Sequence, residues 1–140
     1  MGNRAAKLIL SYETNDTRKI YKITGKYICK VVDVYDGDTA TISLINNCQI
    51  QKLKLRMYGY DSPELKPRLD KVNRDEEIKK AKEAKQFLSD LVLDKICTVD
   101  TRGFDKYGRL LGTLYAENVN INELMVSHGH GYEYYGGKKK

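Results

Sequence analysis

The sequence predicts one mixed α+β domain of five strands, one long helix and one short helix. Three observations carry that expectation. Three β-rich runs follow one another between residues 27 and 58, apolar residues then recur at helical spacing, and two more β-rich runs precede a short capped apolar segment. A chain of 140 residues is the size of one domain and can bury one sizeable core. Its 41% hydrophobic and 31% charged residues exclude the apolar-poor, charge-rich composition of disordered chains.

Residues 1–25 mix charges, Asn and Thr without a sustained period and read as an extension with a turn at Asn15-Asp16-Thr17. Strands are expected over 27–34 (YICKVVDV), 39–45 (TATISLI) and 50–58 (IQKLKLRMY), because each is rich in β-branched or aromatic residues and the last alternates around Leu53 and Leu55. Asp36-Gly37 and Asn46-Asn47 separate them, and both pairs tolerate the positive φ of tight turns, so the three form a meander. The stretch from Ser62 to Asn73 holds both prolines and no period, which makes it a loop. Asn73 with Glu76 reads as a capping box. The helix after it places Ile78, Ala81, Ala84, Leu88, Leu91 and Val92 on one face and Lys79, Lys80, Lys82 and Lys85 between them. Residues 96–101 and 110–116 read as the last two strands, and Asn120 with Glu123 caps a short helix over Ile121, Leu124, Met125 and Val126. Residues 136–140 form a basic tail.

Lys and Arg number 25 against 19 Asp and Glu, a net charge of +6, which suits an acidic polymer as partner; Lys138, Lys139 and Lys140 supply part of that excess, so a local basic groove is expected more than a uniformly basic surface. Three cysteines at no metal-ligand spacing point away from a disulfide framework or zinc site and toward three buried small hydrophobes. No run of 18 uncharged apolar residues exists to span a bilayer, and the N-terminus lacks the apolar core of a secretory signal, so an intracellular location without membrane contact is expected.

Ionisable residues concentrate where turns meet strands: Asp36-Gly37-Asp38-Thr39, Arg56, Asp61-Ser62-Pro63-Glu64, and Asp105-Lys106-Tyr107-Gly108-Arg109. Each alone has an ordinary reading as a hairpin turn, a strand end or a surface ion pair. Together they supply the parts for cleaving a phosphodiester: carboxylate oxygens for a hard cation, a carboxylate to position water, and guanidinium groups whose planar fork suits a phosphate oxygen pair.

The order of these stretches, followed by a short helix ending at Gly129, resembles the staphylococcal nuclease (thermonuclease) domain over residues 25–135. The resemblance implies a five-stranded Greek-key OB barrel with packed helices. It implies Ca2+ held by Asp38, Asp61 and the Ser62 carbonyl, with Asp36 behind them through water. Glu64 would orient or deprotonate the attacking water, and Arg56 and Arg109 would grip the phosphate. Lys106 and Tyr107 match positions that touch a neighbouring phosphate, and Tyr134 and Tyr135, with Tyr132, offer rings to a base. His128 and His130 match no site position and are expected in a solvated tail.

The implied activity is hydrolysis of DNA and RNA, preferentially single-stranded, to products ending in 3′-phosphate, by a monomer. The sequence departs from the family at Ser62, where Thr is usual, in the rebuilt loop from Glu64 to Asn73, and in ending soon after Tyr135. The last departure implies that stability draws on the N-terminal extension folding back. The alternative is an inactive domain of the same type that binds nucleic acid or a protein partner. Two Asp, one Glu and two Arg in one pocket favour the enzyme, since a binding module has no need to bear the stability cost of such charges. A plain single-strand-binding OB fold would show exposed aromatic residues on the barrel face, and this barrel sequence offers few.

Overall fold

The computed structural model describes residues 24–136. The extension, apart from Thr24 and Gly25, therefore lies outside the described residues together with its expected turn, and so do residues 137–140 of the tail. Among the described residues eight strands and two helices follow in the order β1 (Thr24–Val34), β2 (Thr39–Asn46), β3 (Gln49–Met57), β4 (Tyr60–Asp61), α1 (Arg74–Val92), β5 (Ile96–Phe104), β6 (Leu110–Ala116), β7 (Val119–Asn120), α2 (Ile121–Ser127) and β8 (Tyr132–Glu133).

The five long strands are the five expected from the sequence, and they close into a barrel. β1, β2 and β3 form the antiparallel meander, β5 returns to pair with β1, and β6 pairs with β5 and then, in parallel, with β3. That is the OB-type barrel implied by the resemblance. Alternation decides which residues face inward: Val31, Ile42, Leu44, Leu55, Val99 and Leu114 are fully buried. α1 covers one end with Ala84, Leu88 and Val92, and α2 adds Ile121 and Met125 to the same core.

Closure is short. Only Leu55, Arg56 and Met57 of β3 pair with Leu110, Leu111 and Gly112 of β6. Beyond them the buried Asn122 of α2 continues the seam: its Oδ1 accepts from Leu114 N at 3.0 Å, and its Nδ2 donates to Tyr58 O at 2.8 Å and Gly112 O at 3.1 Å. Gly112 is required there, since an added Cβ would lie 2.9 Å from a Val99 methyl and 3.1 Å from the Asp100 carbonyl oxygen.

Several local expectations are corrected. The β2–β3 turn carries positive φ at Asn47 and Cys48, one residue later than Asn46-Asn47, which leaves Cys48 exposed while Cys29 and Cys97 are buried. Gly37 does not take a positive φ; it is needed for space, because a Cβ there would lie 2.7 Å from the Cβ atoms of both Ala84 and Ser62. Asn73 is left-handed at φ 60 and its side chain caps nothing, since an N-cap needs extended backbone to offer its oxygen to the first turn. Glu77, not Glu76, reaches back, accepting from Glu64 N at 3.1 Å. Asn120 does cap α2 by accepting from Glu123 N at 3.0 Å. The short pairing of β4 with β8 was not legible, and it ties the chain near the C-terminus to the residues around Asp61.

Two outcomes follow from this packing. Asn122→Ala leaves buried backbone groups without partners at the barrel seam and is expected to cost about 2 to 4 kcal/mol in denaturant unfolding; an unchanged midpoint contradicts its closing role. Burial, and then the neighbouring Cys97, pushes the Cys29 thiol up to about 12, and burial also raises Cys97. A thiol reagent, which attacks thiolate, is expected to modify Cys48 in the native protein and Cys29 and Cys97 only after unfolding, as peptide mapping would show.

Candidate active site

The β1–β2 loop is built around its own carboxylates. Asp36 Oδ1 accepts from Asp38 N at 2.9 Å, Tyr35 N donates to Thr39 O at 2.9 Å, and Tyr60 donates its hydroxyl to Gly37 O at 2.6 Å. This presents Asp38, 9% exposed, toward β3 and β4. One Asp38 oxygen accepts from Thr39 Oγ1 at 2.9 Å, and the other accepts from Ser62 N at 2.9 Å and lies 3.6 Å from an Arg56 terminal nitrogen. Asp61, 3% exposed, pairs with the other terminal nitrogen of Arg56. Arg56 also donates to Met57 O and Tyr60 O, each at 2.8 Å. The guanidinium thus sits between two buried carboxylates and two carbonyls.

Electrostatics follow from that arrangement. Burial alone would raise Asp38, but the Arg56 charge and the bonds from Ser62 N and Thr39 outweigh it and hold the carboxyl below its ordinary value. Among the described residues Asp36 has no cation within 4.0 Å. Burial, then repulsion from Asp38, raises it to about 6.

The β5–β6 loop supplies the second arginine. Asp105 Oδ1 accepts from Tyr107 N at 2.8 Å and Arg109 N at 2.9 Å, while its Oδ2 accepts from Arg109 Nε at 2.8 Å. Gly108, at φ +79, allows the reversal. With Nε committed, the two terminal nitrogens of Arg109 are the ones a ligand could meet. Burial would raise Asp105, but the bonds from the Arg109 and Tyr107 N–H groups and the Arg109 charge hold it below its ordinary value. Lys106 and Arg109 both lie over the exposed Tyr107 ring, at 5.2 and 5.3 Å.

All these groups line one open cavity of about 960 Å3. Asp36, Asp38, Arg56, Asp61, Ser62, Glu64, Lys106, Tyr107, Arg109, Tyr134 and Tyr135 are each on its wall, so the site residues expected from the sequence meet there with the exception of Tyr132. Tyr132 is not on the wall; its hydroxyl lies 3.5 Å from Asp61 Oδ2. None of the described residues of α1 lines the cavity. Among the described residues no three His, Cys, Asp or Glu side chains gather into a metal-holding group. A cation here would therefore rely on Asp38, Asp61, carbonyl oxygen and water. That donor set is all oxygen, the chemistry that suits a hard cation, and such a cation would share the two carboxylates with Arg56.

The sequence missed several participants. Asp105 was legible only as part of a motif, yet it fixes Arg109; the cue is an Asp opening a Gly-containing turn. Tyr58 also lines the cavity, edge-on to Tyr135 with ring centroids 5.6 Å apart, and the Arg102 guanidinium lies 4.3 Å from its ring centroid. His128 is exposed, as expected, and His130 is half-buried, but the two are packed and not in a free tail. Both rings stack on Phe87 of α1, with centroids 5.1 and 4.5 Å away, and so pin the end of α2 to α1.

Residues 54–140 match the family described as staphylococcal nuclease homologue. The chain is 32% identical over 109 residues to an uncharacterized endonuclease of Haemophilus influenzae, covering 78% of this chain and 53% of that protein. It is 31% identical over 118 residues to a micrococcal nuclease of Shigella flexneri, covering 76% of this chain and 59% of that protein. A probable staphylococcal-like nuclease of Oryza sativa is 30% identical over 84 residues, which cover 60% of this chain and 20% of the plant protein. The chain thus spans little more than half the length of the two bacterial relatives.

The shift on Asp36 sets a pH window. Its folded value lies above the ordinary 3.8, so folding binds a proton more tightly, and the contribution is fully present below about pH 4 and lost as pH rises to about 6. Asp36→Asn keeps an acceptor for Asp38 N and removes that dependence. Its stability relative to the parent is expected to improve between pH 4 and pH 6 in unfolding curves, and a parallel pair of curves contradicts the assignment.

Proposed function

Since the chain belongs to the staphylococcal nuclease family, we propose that it is a calcium-dependent nuclease hydrolysing DNA and RNA to products with 3′-phosphate ends. The observation that carries this reading is the meeting of four separate stretches, with Arg56 and Arg109 among them, on the wall of one cavity. Binding alone does not need that set of buried charges, which are costly to hold out of water.

In this reading Asp38, Asp61 and the Ser62 carbonyl hold Ca2+, with Asp36 behind them. The cation would supply positive charge beside a phosphate oxygen. Glu64 stands exposed on the cavity wall, where it can orient water and accept its proton. Attack at phosphorus breaks the bond to the 5′-oxygen, which leaves and is protonated by solvent. Arg109, held by Asp105, presents two terminal nitrogens to the phosphoryl oxygens as their charge grows. Arg56 supports the same charge while balancing Asp38 and Asp61. Lys106 and Tyr107 meet an adjacent phosphate, and Tyr134 and Tyr135 offer ring surface to a base. Monomeric action and a preference for single strands belong to the same proposal.

Digestion of single-stranded DNA with Ca2+ and then with excess chelator tests the metal; equal activity in both sinks the calcium site. Glu64→Gln is expected to bind strands normally and cut about 10²- to 10⁴-fold more slowly, the usual worth of a positioned base. Arg109→Ala is expected to lose about 10²- to 10³-fold in turnover with a smaller loss of affinity, and Arg109→Lys to rescue only part of it. A parent protein that binds strands and never cuts them replaces this reading with the inactive binding domain.

A further inference from the structure

We propose that the outward face of the β1–β2–β3 meander guides a single nucleic-acid strand away from the cavity, with Lys54, Lys52 and Lys30 holding its phosphates. This rests on the nuclease reading and extends it to a surface beyond the cleavage site.

The register builds the track. Along β3, Arg56, Lys54 and Lys52 share the outward face while Leu55 and Met57 point into the core. On β2 their cross-strand partners are Thr39, Thr41 and Ser43, and Ser43 also faces Lys30 of β1. Each two-residue step along a strand advances about 7 Å, the scale on which phosphates follow one another in an extended single strand. Lys54 therefore stands one step from Arg56, and Lys52 with Lys30 stands two steps away. Ser43 lies between Lys52 and Lys30, where its hydroxyl can donate to a phosphate oxygen, and Thr41 lies between Lys54 and Asp33.

Continuity with the cavity favours this route. Thr41 and Lys54 lie on its wall, so the cavity already opens onto the meander, whereas none of the described residues of α1 does so. Lys30, Lys52 and Lys54 are exposed, and among the described residues none has a carboxylate within 4.0 Å. Asp33, in register with Thr41, is the acidic group of this face. Lys54 and Lys52 follow one another along β3, and Lys30 flanks the same step from β1, an arrangement that fits one phosphate backbone. The track also has an end. One step beyond Lys52 the face carries Ile28, Ile45 and Ile50, exposed by 59%, 52% and 77%, which give a phosphate nothing to bind.

Lys30→Glu combined with Lys52→Glu tests the track, since neither residue lines the cavity. A thymidine dinucleotide and an oligothymidylate of eight residues serve as substrates, with thermal unfolding to verify the fold. The expected result is a KM for the octamer raised about 10- to 100-fold at near-constant kcat, with dinucleotide cleavage within twofold of the parent. Binding of labelled octamer, followed by anisotropy, should show its log-log salt slope reduced by about 1.4, near 0.7 for each phosphate that the variant no longer neutralises. Doubling the strand to sixteen residues should add little affinity in the parent, because the basic face has ended. An unchanged slope, equal losses on dinucleotide and octamer, or an equal loss on a duplex of the same length overturns the proposal. If the parent binds the octamer and cuts nothing while the slope still falls in the variant, the nuclease reading fails and the strand track stands.

Discussion

The parallel pairing of β3 with β6 is the contact on which both the barrel and the site depend. It spans three residues of each strand, with Leu55 opposite Leu110 and Arg56 opposite Leu111. Arg56 lies inside that pairing, and Arg109 immediately precedes it. Closing the barrel is thus the same event that brings the two arginines, far apart in sequence, onto one cavity. So short a ladder has little redundancy. Asn122 lengthens it by bonding to both sides of the seam, and Gly112 keeps the seam close enough to bond. Stability of the fold and geometry of the site are accordingly coupled through one side chain on α2.

Charge balance is the second constraint. Asp38 and Asp61 are carboxylates removed from water, and such groups persist only when paired. Arg56 pairs with both while donating to Met57 O and Tyr60 O, so it also holds the turn that carries the chain from β3 to Asp61. Asp36 is a third carboxylate beside that one guanidinium, and burial, then repulsion from Asp38, raises it toward neutrality. A cation taken up by Asp38 and Asp61 would share their oxygens with Arg56, so metal uptake and the position of that arginine are linked. Arg109 answers to a separate carboxylate, Asp105, and is independent of that competition.

The five long strands and both helices were legible because burial imposes a period, and periods survive in sequence. Ile42 and Leu44 alternate with Thr41 and Ser43, and Ala81, Ala84 and Leu88 recur at helical spacing, whatever surrounds them. Turn chemistry was less legible, since several residue pairs tolerate the same φ and tertiary packing chooses among them. Cys48 takes a left-handed position that Asn46 was expected to fill, and Gly37 answers to the approach of Ala84 instead of to a turn. The candidate site was legible as an order of motifs. What was not legible was the set of partners: Asp105 on Arg109, Arg102 on Tyr58, Phe87 beneath two histidines. Those contacts join elements whose juxtaposition only the closed barrel creates.

Composition shows why that matters for a basic protein. A net charge of +6 says that positive groups are in excess but not where their field is felt. The lysines of α1 draw the eye in the sequence, yet the first turn of that helix carries Asp75, Glu76 and Glu77, and Lys80 lies 3.6 Å from Glu76. The charge of Lys80 is answered on the spot, as a helix with opposite charges four residues apart arranges. The meander lysines are spread over two strands and look unremarkable in sequence. Register sets Lys52 opposite Ser43 and Ser43 opposite Lys30, with no acidic residue in that row. Lys52 and Lys30 lie on the face that continues from Thr41 and Lys54 of the cavity wall, whereas none of the described residues of α1 reaches that wall, so the position of a basic group relative to the cavity follows from strand pairing and not from lysine count.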